Sequence, residues 1–184
     1  MMREIRIHGR GGQGNVTASE LLAVAAFEDG KEAQAFPAFG SERMGSPVVA
    51  FTRYSDQKIR TRTQVEHPDY VIVQDPTLIG AVDVLGGVKD GGLVIVNSEQ
   101  QPAELGLHTQ ARVLTVPAFK IAREVIGRPI PNSVLMGAFA AATGEISLEA
   151  IKRGCLRRWP GKIGARNADA AEKAYQFVKE AAQQ

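Results

Sequence analysis

The sequence predicts an α/β domain on a mainly parallel sheet, and three observations lead there. A β-branched run, Glu4-Ile5-Arg6-Ile7-His8, passes directly into the glycine-rich Gly9-Arg10-Gly11-Gly12-Gln13-Gly14 and then into a helix-length, small-residue stretch from Thr17 to Phe27. Three further buried-strand patterns follow, Tyr70 to Asp75, Leu93 to Asn97 and Arg112 to Pro117, with helical connections expected between them. A chain of 184 residues, 44% apolar, has the length and the core material of one such domain.

Each element has a local reason. Asn15 or Thr17 is placed to cap the first helix, which Gly30 ends. The stretch Ala33 to Gly40 is apolar but interrupted by Pro37, and Ser41 to Ser46 is polar. Pro47 to Tyr54 reads as a strand, Ser55 to Lys58 as a turn and Ile59 to Thr63 as the returning strand, an antiparallel hairpin grafted onto the core. Leu78 to Val88 reads as a short helix ended at Gly86-Gly87, and Phe119 to Ile126 as another. Asn132 to Ala142 reads as a buried helix, Ser147 caps the next, and Asn167 to Ala182 is an amphipathic terminal helix packing through Ala171, Ala174, Tyr175 and Val178. With no linker and no repeat, residues 1–184 are expected to form a single domain of three-layer, Rossmann-like architecture with that antiparallel excursion.

Composition removes several function classes. The single cysteine, Cys155, excludes an internal disulfide and an all-cysteine metal site and makes the cytoplasm the expected compartment. The charged start leading into a glycine loop does not read as a signal peptide, and no apolar run reaches membrane-spanning length. A formal charge of +2 is too mild to imply nucleic acid. Its distribution is uneven: acids dominate Glu66 to Glu104 with Lys89 as the one base, whereas Lys152, Arg153, Arg157, Arg158, Lys162 and Arg166 fall together without an acid. That run reads either as a patch that steers an anion or as a solvated face.

The glycine loop is the sharpest local signal. Gly9, Gly11 and Gly14 fit G-x-G-x-x-G, and backbone N–H groups at a strand end facing a helix start suit an anion; a purely structural tight turn is the other reading. The acid that a dinucleotide site needs about 20 residues later would be Asp29 or Glu32, neither placed at a strand end. Phe36 to Pro47 sets two aromatics around a proline, as a partner surface, a cleft wall, or a loop folded over its own sheet. His8, His67 and His108 lie in unrelated contexts, and no metal set or catalytic constellation is expected. Cys155 reads as a buried helix residue, and Asp75 either faces a crevice or caps the next turn.

Four stretches together, GRGGQG, QAFPAFGSERMGSPVVAFTR, DYVIVQDPTL and IPNSVLMGA, resemble the gamma subunit of archaeal and bacterial 2-oxoacid:ferredoxin oxidoreductases, most closely the pyruvate type. The resemblance spans nearly the whole chain. It implies an α/β subunit without independent catalysis at the core of an assembly. In that assembly alpha and beta subunits hold thiamine diphosphate with Mg2+, [4Fe-4S] clusters sit on beta and on a ferredoxin-like delta subunit, and ferredoxin takes the electrons. Pyruvate and coenzyme A become acetyl-CoA and carbon dioxide, reversibly. It further implies that gamma helps form the coenzyme A side of the cleft, expected here at Gly9, Arg10, Gly11, Gly12, Gln13, Gly14, Asn15, Thr17 and Asn132. Subunit contacts are expected at Phe36, Pro37, Phe39, Gly40, Glu42, Arg43, Met44 and Gly45; Glu42, Arg43 and Gly45 match a V-E-R-R-G stretch of the family, while Ser41 and Met44 depart from it.

Overall fold

The computed structural model describes residues 1–38 and 43–183, so Phe39, Gly40 and Glu42 lie outside the described residues. Among the described residues six strands, β1 (Arg3–Arg10), β2 (Glu32–Pro37), β3 (Pro47–Ser55), β4 (Tyr70–Val73), β5 (Leu93–Asn97) and β6 (Arg112–Val116), form one sheet in the order β2-β3-β1-β4-β5-β6. β1, β4, β5 and β6 run parallel, and β3 is antiparallel to both β1 and β2. Among the described residues five α-helices accompany the sheet: α1 (Asn15–Glu28), α2 (Ala118–Val125), α3 (Asn132–Thr143), α4 (Leu148–Arg158) and α5 (Lys162–Ala181).

The period-two alternation of the parallel strands decides what lies on each face. Ile5, Ile7, Ile72 and Ile95 point into the core shared with all five helices. Val71, Val73, Val94 and Val96 point the other way, onto Leu78 and Val84 with Leu85, Leu105 and Leu107 around them. On that second face Arg6 and His8 also stand buried, 9% and 5% exposed, with Arg6 Nε donating to His8 Nε2 at 2.9 Å and Nη2 donating to the Gly86 carbonyl at 2.5 Å. Burial first, and then the Arg6 charge, push the His8 imidazole down to about 3. The sheet is therefore sandwiched in three layers, α-helices on one side and a layer of turns on the other.

The expected helix from Leu78 to Val88 is absent. A single 3-10 turn spans Pro76–Leu78, after which Gly80 and Gly87 adopt φ of 82° and 70°, left-handed conformations that stop an α-helix. Ile59 to Thr63 is likewise not the returning strand of the excursion. The partner of β3 is β2, upstream, in a register that stacks Phe36 against Phe51 at 5.2 Å, and β3 is already paired on its other edge by β1. The 59–63 segment is held instead by Arg53, whose guanidinium donates to the Thr63 carbonyl while Nε meets Glu4 at 2.6 Å.

Helix packing is close. A Cβ at Gly137 of α3 would lie 1.9 Å from the Ala171 carbonyl oxygen of α5, so only glycine permits this crossing. Ala171, Ala174 and Val178 of α5 are buried, and Ser147 caps α4 by accepting from the Ala150 N–H at 3.1 Å. α5 begins at Lys162, five residues before the expected Asn167, because the turn at Gly161, φ 71°, reverses the chain there. At the amino end of the sheet Glu145 accepts from Tyr54, from Tyr70 at 2.7 Å and from Arg3 at 3.1 Å, tying the α3–α4 corner to three strands.

Candidate functional site at the ends of β1 and β4

From β1 the chain departs to one side, through α1 to β2 and β3, whereas β4 to β6 lie on the other. The carboxyl ends of β1 and β4 thus border a topological switch point, the place where open α/β sheets bind ligands. The glycine loop sits there. β1 is eight residues long, so the ladder continues through Arg10, opposite Pro47, and Gly11 makes an isolated bridge with Met44.

The glycines are used first by the chain itself. Gly11 N–H donates to Ser46 O at 2.8 Å and Gly45 N–H to Gly11 O at 3.1 Å; a Cβ at Gly11 would stand 2.1 Å from the Arg43 carbonyl oxygen. Gly9 gives way in the same manner to Asn15, whose Oδ1 would be 2.1 Å from a Cβ there. Gly12 and Gly14 take φ of 91° and 79°, and Gly14, rather than Asn15 or Thr17, caps α1. Asn15, at the first helical position, instead donates from Nδ2 to Val48 O at 2.9 Å and clamps the loop to β3.

A polar network ties the glycine loop to the end of β4. Arg10 N–H donates to Gln13 Oε1 at 2.8 Å, and Gln13 Nε2 donates to Asp75 Oδ2 at 2.6 Å. Asp75 Oδ1 accepts from the Thr77 N–H at 2.9 Å and from its hydroxyl at 2.6 Å. The Arg10 guanidinium donates to Thr77 Oγ1 from Nε and Nη2, at 3.0 and 2.9 Å, and to Gly45 O at 3.0 Å. Its Nε lies 3.6 Å from Asp75 Oδ2. Burial by itself raises the Asp75 pKa, but the hydrogen bonds from Thr77 and Gln13 and the Arg10 charge outweigh it, holding the carboxyl below its ordinary value. Of the two sequence readings of Asp75 the structure shows the cap: Oδ1 caps the Pro76–Leu78 turn, while Oδ2 accepts from Gln13 of the glycine loop.

Around this network the sequence-predicted residues fall into three groups. Gly9 through Asn15 form the loop itself, Thr17 lies in the first turn of α1, and Asn132, at the start of α3, reaches the loop from the helix layer: a Cβ at Gly14 would be 2.8 Å from its Nδ2. Arg43, Met44 and Gly45 are exposed beside Gly11 and Gly12, Met44 to 85%. Phe36 is half-buried beneath Arg53, 5.0 Å from its guanidinium carbon, and Pro37 is exposed at the end of β2. Thr77 was not singled out from the sequence; an Asp-Pro-Thr following a buried strand is the signal that marks it.

Other candidates stay apart. Asp29 is engaged by Ser147, through its N–H at 2.6 Å and its hydroxyl at 2.7 Å, and Glu32 opens β2, so neither stands where a ribose-binding acid would. Cys155 is fully buried, and burial pushes its thiol up to about 12. Among the described residues no three His, Cys, Asp or Glu side chains converge as a metal site, and no helix is long and apolar enough to cross a membrane. The arrangement gathers backbone donors, an amide and an engaged cation at the ends of β1 and β4, a set that can bind and orient an anion.

Comparison with known proteins places the chain in a family. Residues 4–177 match the family described as pyruvate ferredoxin/flavodoxin oxidoreductase. The chain is 60% identical to pyruvate synthase subunit PorC of Methanosarcina barkeri over 97% of its own length and 98% of that protein's. It is 49% identical to the pyruvate/ketoisovalerate oxidoreductases common subunit gamma of Thermococcus kodakarensis, over 95% of this chain and 96% of the relative. The crystal structure of pyruvate oxidoreductase subunit PORC from Thermotoga maritima superposes with a TM-score of 0.85 at 36% identity, covering 95% of this chain and 96% of that one. The match over residues 4–177 and the likeness across nearly the whole chain show that this chain belongs to the pyruvate ferredoxin/flavodoxin oxidoreductase family, as a gamma subunit of the 2-oxoacid:ferredoxin oxidoreductases.

Proposed function

We propose that this chain is the gamma subunit of a cytoplasmic pyruvate synthase, in which it organises the assembly and forms one side of the cleft for coenzyme A. Its partners are alpha and beta subunits holding thiamine diphosphate and Mg2+, and a ferredoxin-like delta subunit that shares the [4Fe-4S] clusters with beta. The complex converts pyruvate, coenzyme A and oxidised ferredoxin to acetyl-CoA, carbon dioxide and reduced ferredoxin, reversibly. The observation that carries this reading is the likeness to a pyruvate synthase subunit PorC across 97% of the chain. Cluster chemistry belongs to other chains, since a cluster needs several thiolates and the only cysteine here is buried. In the cleft the backbone of Gly11 to Gly14 faces the phosphate-bearing substrate, with Arg10 held beside it by Thr77 and Asp75. Phe36, Pro37, Arg43, Met44 and Gly45, with Phe39, Gly40 and Glu42 beyond the described residues, meet the partner subunits; the 85% exposure of Met44 supports this.

A second reading, a complex acting on branched-chain 2-oxoacids, is favoured by one observation: the Thermococcus relative is named as common to pyruvate and ketoisovalerate oxidoreductases. Substrate choice then lies in alpha and beta, not in this chain. The test is reconstitution with alpha, beta and delta, followed by titration with coenzyme A and with each 2-oxoacid. An Arg10→Met complex, intact by mass, is expected to respond to coenzyme A about tenfold more weakly with pyruvate binding unchanged. Equal losses for both substrates would make the loop a structural support only.

A further inference from the structure

The two edges of the sheet are guarded unequally. β2, at one edge, opens with Glu32 and closes with Pro37. β6, at the other, carries after Arg112 the run Val113-Leu114-Thr115-Val116, with no charge and no proline, in a register to β5 that no bulge interrupts. Two bonds at the ends of that register fix which way its backbone points: Arg112 N–H donates to Gly92 O at 2.9 Å, and Val116 O accepts from the Ser98 N–H at 2.9 Å. Arg112, Leu114 and Val116 therefore turn their backbone groups toward β5, and the N–H and C=O of Val113 and Thr115 turn outward. Among the described residues these outward groups have no hydrogen-bond partner.

A groove of about 540 Å³ lies against this edge. It is lined by Leu114 and Thr115 of the strand, by Phe177 and Glu180 from the last turns of α5, and by Glu99 and Pro102 from the segment after β5. α5 belongs to the helix layer, and the turn that opens at Pro102 belongs to the opposite layer, where Leu105 packs. The strand edge is thus recessed between the two layers, which suits a single extended chain better than the layered edge of a second copy. Phe177, 39% exposed, leaves with Leu114 and Pro102 an apolar place for one side chain. Glu99 and Glu180 are exposed, and among the described residues neither forms an ion pair. Lys120 is the one cation in the lining, so the groove carries a net negative charge and is complementary to a basic residue.

We infer that β6 takes up an extended segment of a partner subunit as a further strand of the sheet, one that sets an apolar side chain against Phe177 and a lysine or arginine beside Glu99 and Glu180. Backbone bonds to Val113 and Thr115 supply affinity whatever the segment's sequence, and the groove supplies the choice. The surface lies at the opposite edge of the sheet from Phe36 and Pro37, so it is a contact separate from the one proposed there. Naming the partner a subunit rests on the proposed function; the open edge and the charge of its groove do not.

Two fluorescein-labelled synthetic strands, Lys-Val-Ile-Val-Lys and Glu-Val-Ile-Val-Glu, are titrated with the full-length chain at low ionic strength and followed by anisotropy. Saturable binding is expected for the basic strand, about tenfold tighter than for the acidic one. Thr115→Pro removes an outward N–H and leaves the ladder to β5 whole, so this variant is expected to unfold at the wild-type urea midpoint yet bind the basic strand about tenfold more weakly. The pair Glu99→Gln with Glu180→Gln is expected to abolish the preference for the basic strand. In the complex reconstituted with alpha, beta and delta subunits, hydrogen exchange at the Val113 and Thr115 amides is expected to be about tenfold slower than in the isolated chain. No saturable binding of the basic strand, equal binding of both strands, or wild-type affinity in a folded Thr115→Pro chain overturns the inference. An unchanged preference in the glutamine pair, or exchange at the two amides that assembly leaves unaltered, overturns it without relying on the proline variant. Slower exchange in the isolated chain as its concentration rises, with a doubled mass, would put a second copy in the groove and overturn it too. If the basic strand binds as expected but no complex forms with the other subunits, the open edge stands and the functional reading falls.

Discussion

Replacing Asp75 by asparagine exchanges one carboxylate oxygen for an amide nitrogen and leaves the shape of the side chain intact, yet no orientation of the new amide satisfies its neighbours. If the amide nitrogen takes the place of Oδ2 it faces Gln13 Nε2, itself a donor 2.6 Å away. Gln13 can flip, but its Oε1 then leaves the Arg10 N–H that it accepts from at 2.8 Å. If the nitrogen takes the place of Oδ1 it meets the Thr77 N–H at 2.9 Å, and the Thr77 hydroxyl beside it already receives two hydrogen bonds from Arg10. One partly buried donor is therefore left against another, at about 1–3 kcal/mol, and the Arg10 pairing at 3.6 Å weakens by less than about 1 kcal/mol. Asp75→Asn is expected to destabilise the chain by about 2–3 kcal/mol in urea unfolding followed by Trp159 fluorescence. Gln13→Glu alone sets two carboxylates face to face and is also destabilising. The double variant Gln13→Glu with Asp75→Asn exchanges donor and acceptor, restores every bond and keeps one negative charge for Arg10, so it is expected within about 1 kcal/mol of wild type. A double variant as unstable as the sum of the singles would refute the network as drawn.

Two further outcomes follow from buried groups. His8, held neutral with its pKa pushed down to about 3, makes the unfolded chain bind one more proton from pH 6.5 downward. Stability is then fully present above about pH 6.5 and falls by about 1.4 kcal/mol per unit as the pH drops toward 3; Asp75 adds its own loss only below about pH 4, so unfolding between pH 6.5 and 4.5 isolates His8, and His8→Gln should flatten that slope. Gly137→Ala places a methyl 1.9 Å from the Ala171 carbonyl and should cost about 3 kcal/mol by forcing α3 and α5 apart; an unchanged unfolding midpoint would contradict the crossing as described.

Legibility in the sequence followed the range of the interactions. The β1–glycine loop–α1 unit, the strands β4, β5 and β6, the buried α3 and the Ser147 cap all rest on neighbours a few residues apart, and all were readable. β2 was not, because Pro37 closes it and its pairing with β3 depends on a loop of other composition between them. The turn layer under the sheet was missed because Leu78, Val82 and Leu85 are spaced as on a helix, while Gly80 and the grip of Arg6 on the Gly86 carbonyl decide otherwise. In the site, the loop was visible and its partner was not. Arg10 meets Asp75 only because parallel pairing sets His8 beside Val73, and sheet order cannot be read from either segment alone.

The central claim is that this chain works as one subunit of an assembly and not by itself. The most direct measurement is ferredoxin reduction by purified alpha, beta and delta subunits with this chain added or withheld, each preparation checked by mass. Reduction that requires pyruvate, coenzyme A and this chain together, with none from the chain alone, is the predicted result. Pyruvate oxidation by the isolated chain, or full coenzyme A-dependent turnover by the other three subunits in its absence, would contradict it.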